Sequence, residues 1–551
     1  MRRLTISLLI FLLFLSGCSP KASEKKVGTH RYDLDRLNKI RIGVNWYEPA
    51  ESSPFANGLY LALDEINQEG VHGKQFEIDY RCNDGNPDLG VKIANRFVKD
   101  RSISAVVGHY FSGIAERCVP IYIKNSMMMI NIDAQLASLA FYNSYYIYRL
   151  SPTTAEIAKY YSFALRQLGY SNPLIINTNS AYAQDLSRRF INELDNLGLE
   201  PAKIVTLFEG FREDPNTLND IMQTDFDALL FFTEPDLVLP MLKPLHTLGC
   251  QAPTLTSNET IELDNANPSE YGKIYLLNDF KVESTTPQMK AFTEKYRDRY
   301  GEDPAEFATV GYVALRLYAD MVDSANSVLP DRIAVQLNIL EDYPSAMGPI
   351  KFATNGDILT RNIRLHEVGK ENDISWHYTQ ILTNRLHDRI LSLLVHTYQE
   401  ESVHVRHPVD SLITIDLSSS GFFLGGTNIC STRGKGILER VTDIIMEELS
   451  LCTFKTHADP KFWGRAFSQS LEDQAKLVNQ YSSRRASNIV HIYYDYVELS
   501  DGSDNPLGDK EFGMRISLLF AGAKLTDEIP EEMVNCFPDQ GTYTSTADST
   551  Q

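Results

Sequence analysis

Past its N-terminus this chain of 551 residues has no apolar run of the roughly 18 residues that a membrane-spanning helix needs. It has no basic stripe either. The 52 Lys and Arg face 72 Asp and Glu, for a formal charge of −20, and phosphate binding needs clustered cations, so nucleic acid is excluded as the main partner. Cysteine is scarce, with seven in all and no pair at CxxC spacing, which removes the usual dithiol redox and zinc motifs. There is no GxSxG, no HExxH, and no glycine-lysine-Ser/Thr phosphate loop opening a helix. Hydrolase, metalloprotease and nucleotide-binding readings lose their support, so no enzyme, no cofactor and no metal are expected.

What is present is an ordinary folded composition, 43% apolar and 23% charged. At roughly 150 residues per domain it suffices for three or four cores. Arg2 and Arg3 precede an apolar run from Leu8 to Leu15, the layout of a secretion signal. The following Leu15-Ser16-Gly17-Cys18 resembles a bacterial lipobox. That resemblance implies cleavage after residue 17, lipidation of Cys18 and a protein anchored on the outer side of a bacterial membrane, with residues 18–37 as a polar tether. The other cysteines, Cys82, Cys118, Cys250, Cys430, Cys452 and Cys536, fit an oxidising compartment. Their pairing stays open between one bridge on each side of residue 400 and none.

From Ile40 short β-rich runs alternate with helical periodicity. Ile40–Val44 reads as a strand. Ser53-Pro54 then supplies an N-cap and a first-turn proline, and Phe55, Leu59, Leu63 and Ile66 recur at helical spacing until Gly70. Phe76–Tyr80 reads as a strand, Asn86-Pro87 opens a second helix, and Ile103–Val107 is a continuous apolar strand ending at Gly108. Such strands separated by helices mean a parallel sheet covered on both faces. Further strands are expected at Met127–Ile132, Pro173–Ile176, Lys203–Leu207, Ala228–Phe232, Pro253–Leu255 and Ile274–Leu277, with helices between most of them. That is too many strands for one compact sheet. Right-handed crossovers build them more naturally as two doubly wound, Rossmann-like α/β lobes with a cleft between them.

Several motifs carry a more specific likeness. They are Asn57-Gly58 with Asp64-Glu65-Ile66-Asn67, Val106-Val107-Gly108-His109 followed by Ser112, Arg149 with Pro152, Tyr182, Tyr300-Gly301 with Pro304, and Gly348-Pro349-Ile350-Lys351-Phe352 with Asn355-Gly356-Asp357. In order and spacing, residues 38–370 resemble a type I periplasmic solute-binding protein of the leucine/isoleucine/valine-binding family. The resemblance implies an amino acid held between the lobes, its carboxylate by Ser112 and the loop Asp133, Ala134 and Gln135, and Tyr182 closing from the second lobe. It also implies an acid for the ammonium, where this chain has Glu234, Asn258 and Glu259, and Trp46 and Tyr47 lie in a first loop of its own kind. The family's first disulfide is expected to be absent or rerouted, since Phe111 stands in the partner's place. The added acids point to a ligand more polar or more cationic than leucine.

Beyond about residue 370 the resemblance ends. Trp376–Tyr398, Ile437–Leu449 and Phe462–Gln480 read as helices and Ser411–Leu417, Ile489–Val497 and Gly513–Phe520 as strands, an α+β domain over 371–540 before a polar tail at 541–551. His377, His387, His396, His404 and His407 read as solvated rather than as metal ligands, and Arg433-Gly434-Lys435-Gly436 as a flexible loop. The expectation is a lipid-anchored binding protein that captures a small polar ligand and delivers it to an ABC permease. The alternative is an envelope lipoprotein with a degenerate cleft, a sensor or assembly factor whose C-terminal domain binds a partner.

Overall fold

In a computed structural model of the chain the described residues are 33–142, 145–208, 214–256, 263, 265–278, 286–340, 342–353, 355–359, 362–370, 374–394, 403–409, 412–418, 431–448, 453–458, 489–499 and 511–521. Cys18 and the signal, the tether before residue 33, Asn258, Glu259, the Phe462–Gln480 helix and the tail from 541 lie outside them.

The first lobe is a five-stranded parallel sheet in the order β2-β1-β3-β4-β5, built from β1 (Lys39–Trp46), β2 (Gln75–Cys82), β3 (Ile103–Val107), β4 (Met128–Asn131) and β5 (Ile147–Arg149). Helices α1 (Pro54–Glu69), α2 (Pro87–Lys99) and α3 (Ser112–Lys124) connect its strands. Every residue of β3 and β4 is buried, as continuous apolar parallel strands require.

The second lobe begins with α4 (Thr154–Gln167) and holds β6 (Pro173–Thr178), α5 (Ala181–Asn196), β7 (Lys203–Leu207), α6 (Pro215–Met222), β8 (Ala228–Phe232), α7 (Val238–Thr247), β9 (Thr254–Thr256) and β10 (Ile274–Asn278). The chain then returns to the first lobe for α8 (Pro287–Tyr300), α9 (Glu306–Ala325) and α10 (Pro330–Ile339), whose apolar faces join that lobe's core. Two glycines let α9 approach α1. A Cβ on Gly58 would lie 1.8 Å from the Ala308 carbonyl oxygen, and one on Gly311 would lie 2.5 Å from that of Phe55, so the two backbones nearly touch.

A third crossing leads back to β11 (Asn362–Glu367) and β12 (Ile374–His377), which extend the second sheet antiparallel and give the order β12-β11-β10-β9-β8-β6-β7. The expected pair of doubly wound lobes is therefore present. Strands β5, β11 and β12 and helix α3 go beyond what periodicity had shown.

From β12 the chain enters α11 (Tyr378–Ser392). Its Ile381 packs into the second lobe's core. A third sheet follows in the order β13-β14-β17-β16-β15, made of β13 (Val403–Val409), β14 (Leu412–Ser418), β15 (Thr453–Ala458), β16 (Ile489–Leu499) and β17 (Glu511–Ala521). Only β15 and β16 pair in parallel there. Leu386 and Ile390 of α11 and Ile437, Val441 and Ile445 of α12 (Thr432–Glu448) are fully buried. Two sequence expectations need correction. Trp376 and His377 belong to β12 and not to a helix, and Arg433-Gly434-Lys435-Gly436 is the first turn of α12 and not a loop.

Candidate functional site

Parallel sheets present ligand-binding loops at the carboxyl ends of their strands. In the first lobe these are Tyr47 after β1, Gly108 to Phe111 after β3, and Asp133 to Gln135 after β4. Gly108 has φ +137°, and a Cβ there would stand 2.3 Å from the Asn45 carbonyl oxygen, so this turn accepts no other residue. Behind it His109 is fully buried with Nε2 3.3 Å from the Tyr122 hydroxyl. Burial pushes its pKa down to about 3, which leaves the ring neutral.

Ser112 opens α3, but Phe111 holds the N-cap position and the serine caps nothing. Its Oγ accepts the Gln135 backbone N–H at 3.0 Å and so ties the β3 loop to the β4 loop. The Gln135 side chain donates to Asp133 Oδ1 at 3.2 Å. Burial and the charge of Glu306 at the start of α9 raise the Asp133 carboxyl well above the ordinary range. Ala134 is fully buried.

Trp46 is fully buried too. It lies in β1, stacked on Phe55 at 4.0 Å, and so backs the cleft without lining it. Tyr47 is half-buried, with its ring 4.5 Å from that of Tyr110 and 5.5 Å from that of Phe111. Tyr110 in turn meets Phe307 at 5.4 Å, edge to face.

From the second lobe come α5 and the ends of β6 and β8. Ser180 caps α5 by accepting the Ala183 N–H. Tyr182, in the first turn, is half-buried and stands next to Ala181, where the two lobes meet. Glu234 follows β8 and accepts a long hydrogen bond of 3.5 Å from Thr178 Oγ1. The lobes touch where α3 and α5 begin, since a Cβ on Gly113 would be 3.9 Å from that of Ala181. Thr154 Oγ1 bridges them as well. It donates to Asp185 Oδ2 at 2.5 Å and accepts the Ala137 N–H at 3.1 Å.

At the crossover Arg149 is 2% exposed, donates to Asp357 Oδ1 through Nε at 2.5 Å and to the Leu136 carbonyl through Nη1 at 2.8 Å. A second buried arginine joins the second lobe to the region beyond it. Arg385 of α11 donates to Glu448 of α12 through Nη2 at 3.0 Å, and Nη1 reaches Glu193 of α5 at 2.6 Å and Ser162 of α4 at 3.1 Å. Arg389 also donates to Glu448, at 2.6 Å.

Ser112, Tyr47, Asp133 and Gln135 thus gather on one wall of the cleft, and Tyr182 and Glu234 on the other. Tyr110 and Glu306 join them without having been singled out in the sequence. Tyr110 could have been found, because it stands between Gly108 and Ser112, whereas nothing near Glu306 marked it. Cys82, Cys118 and Cys250 carry free thiols, so no bridge forms within that group. Among the described residues no three His, Cys, Asp or Glu side chains gather as a metal site, and no helix is long and apolar enough to cross a membrane.

Two doubly wound lobes exchanging three chain crossings around a cleft define a type I binding-protein fold. The family model of the periplasmic binding proteins matches residues 41–373. The chain belongs to that family. It is 22% identical over 368 residues to Leu/Ile/Val-binding protein homolog 1 of Brucella suis, an alignment covering 63% of this chain and 94% of the relative. Among solved structures, an ABC transporter substrate-binding protein from Desulfitobacterium hafniense in complex with Leu is similar with a TM-score of 0.53 at 22% identity, covering 61% of this chain and 100% of that one. A solute-binding protein of an R. palustris ABC transporter, in complex with 4-hydroxybenzoate, gives a TM-score of 0.54 at 18% identity, covering 61% and 94%. The family model ends at residue 373.

Proposed function

We propose that the protein is a lipid-anchored, extracytoplasmic solute-binding protein that closes its two lobes on a small polar ligand, an amino acid or a relative of one, and hands it to a membrane ABC permease. The observation that carries this reading is the meeting of α3 and α5, one from each lobe, at Gly113 and Ala181, with Ser112 and Tyr182 beside the contact. Helix N-termini present unpaired N–H groups and a partial positive charge, a ready receptor for a carboxylate that must leave water. The relatives support the class of activity, since those with described ligands hold leucine and 4-hydroxybenzoate. Lobe closure would give the permease a surface that the empty protein lacks.

The test is a thermal-shift screen of the purified chain against amino acids and small carboxylates. A ligand at a hundredfold excess over its Kd adds about 2.7 kcal/mol of stability by mass action. Silence across the whole set would remove the transport reading.

A second reading, a sensor or assembly lipoprotein, is favoured by one feature. The buried Arg385–Glu448–Glu193 cluster fastens the C-terminal region to the second lobe, and solute capture alone has no use for it. Loss of permease-dependent uptake on deleting the gene, with α12 dispensable for that uptake, would eliminate this second reading.

A further inference from the structure

The cleft wall of the first lobe holds rings and acids in an arrangement that a branched-chain side chain does not call for. Tyr47 and Tyr110 lie 4.5 Å apart and inclined by 38°. Phe111 closes one side of the pair, edge-on to Tyr110 at 4.8 Å and to Tyr47 at 5.5 Å. Phe307 closes another, 5.4 Å from Tyr110, and brings its neighbour Glu306 to the same place. From the second lobe, Tyr182 follows Ala181, which meets Gly113 of the first lobe.

Into this group the β4 loop sets Asp133, whose carboxylate has Gln135 as its hydrogen-bond donor. Among the described residues the only charge acting on Asp133 is the negative one of Glu306. No Lys or Arg there neutralises it. An acid in such surroundings stays protonated until a cation arrives to balance its charged form.

Resting on the reading of the cleft as a ligand site, we infer that the ligand carries an organic cation, an ammonium or quaternary ammonium centre, seated against Tyr47, Tyr110 and Tyr182 and balanced by Asp133. Aromatic faces attract such a centre through their quadrupole, most strongly where water is excluded, and the carboxylate supplies the full countercharge. The positive end of the ligand then lies on the first lobe. The resemblance to the leucine-binding branch instead puts the ammonium acid on the second lobe, where this chain has Glu234 already bonded to Thr178.

The experiment is titration calorimetry on the full chain with choline, 1,4-diaminobutane, L-leucine and sodium isovalerate, the last lacking any positive charge. The cationic probes are expected to bind and isovalerate to be inert. Asp133→Asn and Tyr182→Ala are each expected to weaken the binding of the cations about tenfold, a loss typical of one desolvated cation–aromatic or charged contact. Tyr182 is half-buried on a helix surface, so this variant tests the site even if Asp133→Asn folds poorly. Binding of isovalerate with both cations inert would overturn the inference and leave the proposed function standing. So would cation binding that neither variant weakens. Failure of every solute in the wider screen would remove both.

Discussion

Among the described residues two buried arginine clusters stand out, and they answer acid in opposite ways. At the lobe crossover Arg149 serves Asp357, with Glu156 of α4 close by. Acids outnumber the nearest cation there. Burial and the charge of Asp357 push Glu156 up to about 6, against the pull of the Thr153 N–H, Arg149 and Lys159. At the junction with the C-terminal region, Arg385, Lys159 and Arg389 surround Glu448. Burial alone would raise that carboxyl, but the three cations outweigh it and hold it near about 2. Lys159 acts on both groups from a single position on α4. The balance of cations to acids, and not depth, sets the sign.

The strongest way to break the comparison is Arg385→Met. It leaves Glu448 and Glu193 facing each other in the interior, a cost of about 3–5 kcal/mol for a buried pair deprived of one partner. Urea denaturation should split into two transitions, and limited proteolysis should open the chain near α11. A single unchanged transition would mean that the cluster does not hold the junction.

Gly356→Ala tests the other cluster through its backbone. Gly356 has φ +85°, its carbonyl accepts the Arg149 N–H at 2.8 Å, and a Cβ would lie 1.9 Å from the Ile147 carbonyl oxygen. A loss of about 1–3 kcal/mol is expected from the forced backbone shift, read from the urea midpoint. Asp357→Asn sharpens the contrast further. Removing that charge should bring the Glu156 carboxyl down towards its ordinary range, as a carbon-detected NMR titration would report. An unmoved Glu156 would assign the shift to burial alone.

The smallest effect is the pH profile of the unaltered protein. Glu156 has a higher pKa folded than unfolded, so the folded form binds more protons between about 6 and the ordinary value of 4.5, and stability rises as pH falls through that window. Glu448 is the reverse. Its contribution is complete above 4.5 and is lost as pH drops towards about 2. Melting temperature against pH should therefore pass through a maximum near the lower carboxyl range, and Arg385→Met should remove the acid limb.

Much of this frame is legible in the residues themselves. The strands Ile103–Val107, Lys203–Leu207 and Ala228–Phe232 are readable to the residue, because short β-rich runs bounded by turn residues and flanked by helical periodicity fit little else in an α/β chain. Helix α1 announces its start through Ser53-Pro54. By contrast β5 spans three residues, too few for a pattern, and β11 (Asn-Ile-Arg-Leu-His-Glu) alternates apolar with polar residues as an antiparallel addition does, amid strands that do not. Pro120 inside α3 hides that helix. The cleft wall is half legible. Residues next to strand ends can be named from topology, but Glu306 reaches Asp133 from 173 positions away in the chain, through packing of α9 that no local pattern encodes.

Gly113 is easily overlooked because it carries no side chain. That absence lets the first turn of α3 come within van der Waals reach of Ala181, so a bulky residue at this position would press the lobes apart. An alanine would just fit. A tryptophan or phenylalanine would act as a wedge between the two halves, beside Ser112 and Tyr182. Under the proposed function, such a wedge would separate ligand occupancy from closure.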